Sequence, residues 1–228
     1  MPEFTSVEYA AILLSLKVSV VATLLSLPFG FAAAYVMTYR HFRGKMVLDV
    51  IVNLPLTLPP VVIGYLLLIL LGQKGFIGLH ILQPLGIKLI FTWKAAVIAT
   101  SVVGFPLLVR SIRIGMESID RGLIQAARTL GAGWCDTMVT VILPLSLRGV
   151  IAGATLMFAR GLGEFGATII VAGNMPGVTQ TIPLAIYDYA SSPDGDSMAM
   201  ALCVVSVVIS VVVLLGHEYF SRRMIRTD

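Results

Sequence analysis

The chain has 228 residues, 57% of them hydrophobic and 12% charged, with a mean hydropathy of +0.95. Soluble domains carry about 25% charged residues, so the composition excludes a soluble fold and predicts an integral membrane protein of one domain over 1–228. The net charge of +4 sits mostly beside apolar runs, where membrane topology accounts for it, and no nucleic-acid partner is expected.

The opening MPEFTSVE is acidic, and the apolar run behind it is too long for the core of a signal peptide. It is expected to stay as a first span over about 8–39 in a bilayer that needs about twenty residues per crossing, with Pro28 as the place for a bend. RHFRGK at 40–45 is a basic turn. Positions 50–73 are free of charge and predict a second span at about 47–72. Its entry holds Pro55, Pro59 and Pro60, which break or kink a helix and free backbone carbonyls. A simple kink and irregular backbone beside a translocation path both fit. Asn53, Thr57, Pro59 and Pro60 are therefore candidates for lining that path.

Residues 74–94 contain Gly75, Gly78, Pro84 and Gly86 and read as an external loop with a short interfacial segment. A third span is predicted at about 93–114, with Arg110 and Arg113 at its far end, then a polar-bearing loop at 115–143. The fourth span runs over about 144–172, and 174–196 is a proline- and aspartate-bearing loop whose TIPLAIYDYA suits a short interfacial helix. The fifth lies at about 197–220, before a basic tail with Arg222, Arg223 and Arg226. Basic segments alternate with the acidic N-terminus and the acidic 188–196 loop, Lys74, Lys88 and Lys94 being the exceptions. The positive-inside rule then predicts an all-α protein of five spans, N-terminus outside and C-terminus in the cytoplasm.

Within the cytoplasmic loop, Leu123, Ala126, Ala127 and Leu130 share an apolar helical face, with Arg121, Gln125 and Arg128 beside it. Asp120 suits the N-cap, and Gly131 suits the stop. Pro144 suits the first turn of a new helix. Gln125, Ala126 and Ala127, then Gly131, then VILP ending in Leu143 and Pro144 resemble the coupling-loop motif of ABC importer permeases. Gln125 stands where that family usually has Glu, and Val141 where it has Ile. The resemblance implies a short helix that docks in a cleft of a separate ATPase subunit; an amphipathic helix lying on the protein's own body is the plainer alternative.

The fourth span carries an intramembrane charge pair, Arg160 and Glu164, four apart on one helix face. Counted from Pro144, Arg160 lies about 24 Å along the helix, past the midplane. Gly161, Gly163 and Gly166 surround the pair and allow the helix to unwind or to pack tightly. Ionisable groups at this depth mark a wet path or pin two helices together, and both remain open. Gly149 and Gly153 form a GxxxG pattern suited to close packing.

Taken together, AARTLGAG, ILPLSL, FARGLGEFGA and NLPLTLPPVVIGYLLL resemble the molybdate permease subunits of ABC importers, with sulfate permeases as close relatives. The resemblance implies the type I permease fold in a bacterial inner membrane. It also implies a second copy of the chain, two ATPase subunits, and a periplasmic or extracellular oxyanion-binding protein. The extra N-terminal helix of some members is expected to be missing. Molybdate comes from the resemblance, with tungstate and sulfate as alternatives, since no oxyanion cage stands out among the residues.

No GxxxxGK[ST] is present, so ATP hydrolysis is expected in the partner subunit, with no cofactor and no catalytic residue here. His41, His80 and His217 are scattered, and Asp188, Asp194 and Asp196 read as a solvated or partner-facing loop rather than a metal site. Cys135 and Cys203 fall on opposite membrane sides and predict no disulfide. An ion-coupled transporter or channel acting alone is the competing class, and a membrane scaffold the third. The first has no use for a coupling loop, and the second needs no buried charge pair.

Overall fold

The computed structural model describes residues 4–225. Thr5 opens α1 (Ser6–Tyr39): its hydroxyl accepts from Val7 N–H at 3.3 Å, and Glu8 accepts from Thr5 N–H at 2.6 Å. The reciprocal pair satisfies donors that a helix start leaves open. Pro28 lies inside α1.

The expected second span is two helices, α2 (Lys45–Thr57) and α3 (Pro60–Leu71), set at 115° to each other. Leu58 and Pro59 are extended, and Pro60 starts α3, where its missing N–H costs nothing. Pro59 and Pro60 therefore break this segment rather than bend it, whereas Pro55 lies inside α2 without ending it. Residues 72–92 follow as turns around a five-residue π-helical segment, Gly78–Leu82. Phe91 N–H closes the loop onto Val171 O at 2.9 Å.

The centre of the molecule is α4 (Trp93–Glu117), whose Leu108 and Ile112 are fully buried. It is flanked by α1 and by α7 (Leu143–Leu162). Glycines set these distances. A Cβ on Gly149 would stand 2.8 Å from Ser111 O and 2.9 Å from Gly115 Cα, and one on Gly153 2.9 Å from Leu108 O. The GxxxG pattern is the α4–α7 contact.

Between α4 and α7 lie α5 (Arg121–Thr129), the single turn α6 (Trp134–Thr137) and a π-helical turn, Met138–Ile142. The 115–143 stretch is thus less of a loop than expected. Helix resumes at Trp134 and runs on to Leu162. Pro144 does not begin a separate helix, because the π turn passes Leu143 N–H back to Met138 O and carries the backbone into α7.

The fourth span, expected over about 144–172 with glycines that allow it either to unwind or to pack tightly, is divided. It stops at Leu162 and restarts as α8 (Gly166–Ala172). Beyond it, α9 (Ile182–Ala190) lies across α1, and α10 (Asp196–Ile225) ends the described chain. Arg222 and Arg223 fall on the last turns of α10, and Arg226 lies outside the described residues. Among the described residues four helices are long and apolar enough to cross a membrane, and the α2–α3 pair makes five if it counts as one span.

Candidate functional site

Two helix breaks meet inside this bundle. A Cβ on Gly166, the first residue of α8, would lie 3.0 Å from Pro60 Cβ and 3.2 Å from Val61 N, at the start of α3. Four residues on, a Cβ at Gly64 would lie 2.8 Å from Ala167 O and 3.0 Å from Ile170 Cβ. The two helices therefore start side by side and run the same way, and glycine permits the approach.

Arg160 and Glu164 sit at this junction. Glu164 is 2% exposed and lies in the break itself, where its Oε1 accepts from Ala167 N–H at 2.8 Å and caps α8. Its Oε2 is 2.8 Å from Arg160 Nη1, a close ion contact set off the line of a hydrogen bond. Arg160 is 34% exposed, so the guanidinium fronts open space while its carboxylate partner does not. Behind the pair, a Cβ on Gly161 would meet Thr100 Cγ2 at 2.7 Å and Ser19 Oγ at 3.1 Å. The hydroxyls of Ser19 and Thr100 are buried without a hydrogen-bond partner. A charged pair, two helix starts and spare hydroxyls make this a polar point inside the bundle.

Of the path candidates, Pro60 belongs to this junction and the exposed Pro59 adjoins it. Thr57 is exposed and donates to Leu54 O at 2.9 Å within its own helix. Asn53 is elsewhere. Its amide donates to Asp49 O at 2.8 Å and Asp49 Oδ1 at 3.2 Å, in the middle of α2. Asp49 in turn lies 3.3 Å from Arg113 Nη1, and Arg113 Nε donates to Glu117 at 2.7 Å. The tie between Asp49 and Arg113 spans 64 positions, beyond any spacing rule.

The segment expected to couple to an ATPase is built locally. Asp120 accepts from Gly122 N–H at 2.8 Å and caps α5. At the other end Gly131 has φ +87°, its N–H donates to Arg128 O at 3.1 Å, and Ala132 N–H donates to Ala127 O at 3.0 Å. That is a Schellman stop. Most of the expected apolar face is left uncovered by the chain itself. Ile124 packs on the protein's own core and Ala127 is half-buried, whereas Leu123, Ala126 and Leu130 are exposed, Leu130 at 89%. Gln125 is exposed beside them. Leu143 and Pro144 lie on the first turn of α7 and are also exposed. Trp134 follows the stop and ties α6 to α1, its Nε1–H donating to Tyr35 Oη at 2.6 Å with the rings edge-on at 5.9 Å. Tyr39 packs its ring, tilted, against Tyr35 and donates to Met116 O at 3.0 Å, near the end of α4. Residues 99 positions apart make the Trp134 contact, so spacing alone does not announce it.

At the opposite end of the bundle, Asp188 of α9 accepts from Asn174 at 2.8 Å and from Gln180 at 2.7 Å, which folds the 174–190 loop. Tyr189 donates to the carboxylate of Glu8, and that hydrogen bond, with burial, pushes the phenol up to about 12.

A family model described as binding-protein-dependent transport system inner membrane component matches residues 26–226. The chain is 50% identical over 218 residues to the molybdenum transport system permease protein ModB of Escherichia coli strain K12, covering 96% of this chain and 95% of that one. It is 48% identical over 217 residues to the ModB protein of Haemophilus influenzae, covering 95% of each. A bacterial alginate ABC transporter, solved in complex with an alginate pentasaccharide-bound periplasmic protein, has a chain of like fold. The TM-score is 0.75 at 19% identity, over 96% of this chain and 80% of that one.

Proposed function

The chain belongs to the binding-protein-dependent transport system inner membrane components, and on that premise we propose that it is the membrane permease subunit of an ATP-driven importer of molybdate. The observation that carries the reading is the coupling segment. A capped and stopped helix presents Leu123, Ala126 and Leu130 outward, an apolar stripe that its own chain leaves uncovered. A lone transporter has no use for such a helix. A partner ATPase with a matching cleft does, and two copies of it would serve two copies of this chain. α10 points to the same assembly: only 11% of its most apolar window is buried, so lipid or a second copy covers the rest.

Substrate enters from an external binding protein docked at the α9 end, and ATP is consumed on the α5 end, in the cytoplasm. Tungstate shares the geometry of molybdate and travels by the same route. Arg160 and Glu164, with Pro59 and Pro60 at the neighbouring break, belong to the path. A guanidinium fronting open space beside two helix starts favours an anion in passage. Glu164 holds that guanidinium and stops it from trapping the cargo.

The test is reconstitution of the permease with its ATPase and a molybdate-loaded binding protein in vesicles. ATP-dependent molybdate uptake is expected, with sulfate a weaker substrate; uptake driven by an ion gradient without ATP would overturn the reading. Ala126→Glu places a charge on the uncovered stripe and is expected to abolish capture of the ATPase subunit while membrane insertion is unchanged. Normal capture by that variant sinks the docking face.

A further inference from the structure

Away from the helix breaks, at the end of the bundle that carries the coupling segment, a cavity of about 300 Å³ is lined by Met37, Asp49, Asn53, Val109, Arg110 and Arg113. Its polar wall holds two guanidiniums and one carboxylate. Arg113 is fully engaged, with Asp49 at 3.3 Å and Glu117 at 2.7 Å. Asp49 is engaged too, by Arg113 and by the Asn53 amide. Arg110 is placed differently. It precedes Arg113 by one helical turn, so it shares a face of α4, and it forms no hydrogen bond or ion pair with a described residue. With Glu117 counted the local charges balance, yet the two carboxylates are both taken up by Arg113. The exposed Arg110 is the guanidinium left without a partner among the described residues, the group whose forked donors suit oxyanions best.

We infer that this cavity is an oxyanion site at the inner mouth of the permease, with Arg110 as the group that contacts the anion. Asn53 and the Arg113–Asp49 pair form its polar wall. Arg110 stands about 10 Å along α4 from Glu117, so an anion here sits between the helix breaks and α5, where cargo leaves the protein. The proposal rests on the importer reading for its cargo. Two sources share the chemistry, a free tetrahedral oxyanion such as molybdate and the phosphate of an anionic lipid headgroup.

The experiment uses the assembled transporter in lipid nanodiscs without ATP. Molybdate binding is measured by equilibrium dialysis in zwitterionic phosphatidylcholine discs for wild type, Arg110→Gln and Arg110→Lys. Retention of phosphatidylglycerol from mixed discs is followed by native mass spectrometry. Saturable molybdate binding that Arg110→Gln weakens about tenfold or more, a step of about one in log Kd, and that Arg110→Lys weakens less, assigns the site to the free anion. Loss of bound phosphatidylglycerol with Arg110, and no molybdate effect, assigns the same site to a headgroup. Equal molybdate binding and equal lipid retention across the variants overturn it. Should the glutamine variant fail to assemble, Arg110→Lys carries the comparison, since it keeps the charge and loses the fork; wild-type behaviour of that variant in both assays then overturns the site. ATP-driven uptake by wild-type vesicles is scored separately. No uptake defeats the importer reading, whereas normal uptake with anion binding indifferent to Arg110 defeats only the site.

Discussion

Glu164 answers to two neighbours at once, and that decides what its removal or isolation costs. One oxygen faces Arg160, and the other caps α8 through Ala167 N–H. Arg160→Ala strands a carboxylate that is 2% exposed, and breaking one side of a buried pair costs about 3–5 kcal/mol. Thermal unfolding in detergent is expected to show that loss, together with reduced uptake. Arg160→Leu combined with Glu164→Gln is expected to do less harm to stability, because the amide oxygen still caps Ala167 and no charge is stranded. A single variant as stable as wild type would mean that Glu164 finds other solvation and the pair pins nothing. Gly131 is a cleaner residue-scale case. A Cβ there meets nothing within 4 Å, so its requirement for glycine is conformational and not steric. Gly131→Val forces a β-branched residue to φ +87°, at about 1–3 kcal/mol. ATPase capture is expected to fall, and Gly131→Asn, which tolerates this conformation, is expected to restore most of it. Equal capture by the valine and asparagine variants would show that the stop does not aim α5.

At the scale of elements, the α9 contact with α1 gives a pH dependence whose sign can be worked out. Tyr189 donates to Glu8, which raises the phenol from 10.0 to about 12, with burial adding to the shift. A raised acid is favoured in its protonated form by the fold. Its contribution is fully present below pH 10.0 and is lost as pH rises through about 12. The difference in tyrosinate absorbance between wild type and Tyr189→Phe is expected to report one phenol with that late midpoint; a midpoint at 10.0 would mean that α9 is not latched to α1. What the sequence announced at this scale, and what it hid, follows the range of the interactions. The N-cap of Asp120 and the Gly131 stop reach only a few residues and were legible. The core contact of Ile124 was not, because Ile124 and Leu123 are equally apolar and periodicity does not say which of them meets the core. The glycines around Glu164 advertised a weak point, but the break became definite only with the carboxylate capping α8.

For the whole molecule the open geometric question is how a segment bent by 115° counts in the topology. Asp49, in the first half of α2, pairs with Arg113, near the end of α4. α3 leads instead into the loop whose Phe91 binds Val171, just before α4 begins at Trp93. The pair therefore joins opposite ends of α4, which predicts that it crosses the membrane despite its bend. Parity makes this testable. From Gly44 to Cys135 the chain then crosses twice, through the pair and α4, and from Gly44 to Asp194 three times, with the α7–α8 segment added. Were the pair re-entrant, both counts would fall by one and both sidedness relations would invert. Native Cys135 is exposed, as are Gly44 and Asp194, so single cysteines at these positions, with Cys203 replaced, can be labelled by an impermeant maleimide. By the positive-inside rule the basic 40–45 turn and the arginines of α5 are expected to keep Gly44 and Cys135 inside, and the stretch 174–196, which has no Lys or Arg, is expected to lie outside with Asp194. Labelling of Gly44→Cys and Cys135 from the cytoplasmic face alone, and of Asp194→Cys from the outer face alone, is the expected result. Labelling of Gly44→Cys and Asp194→Cys from the same face would make α2–α3 a re-entrant hairpin, and with Gly44 inside it would move α5 to the side of the membrane where there is no ATP.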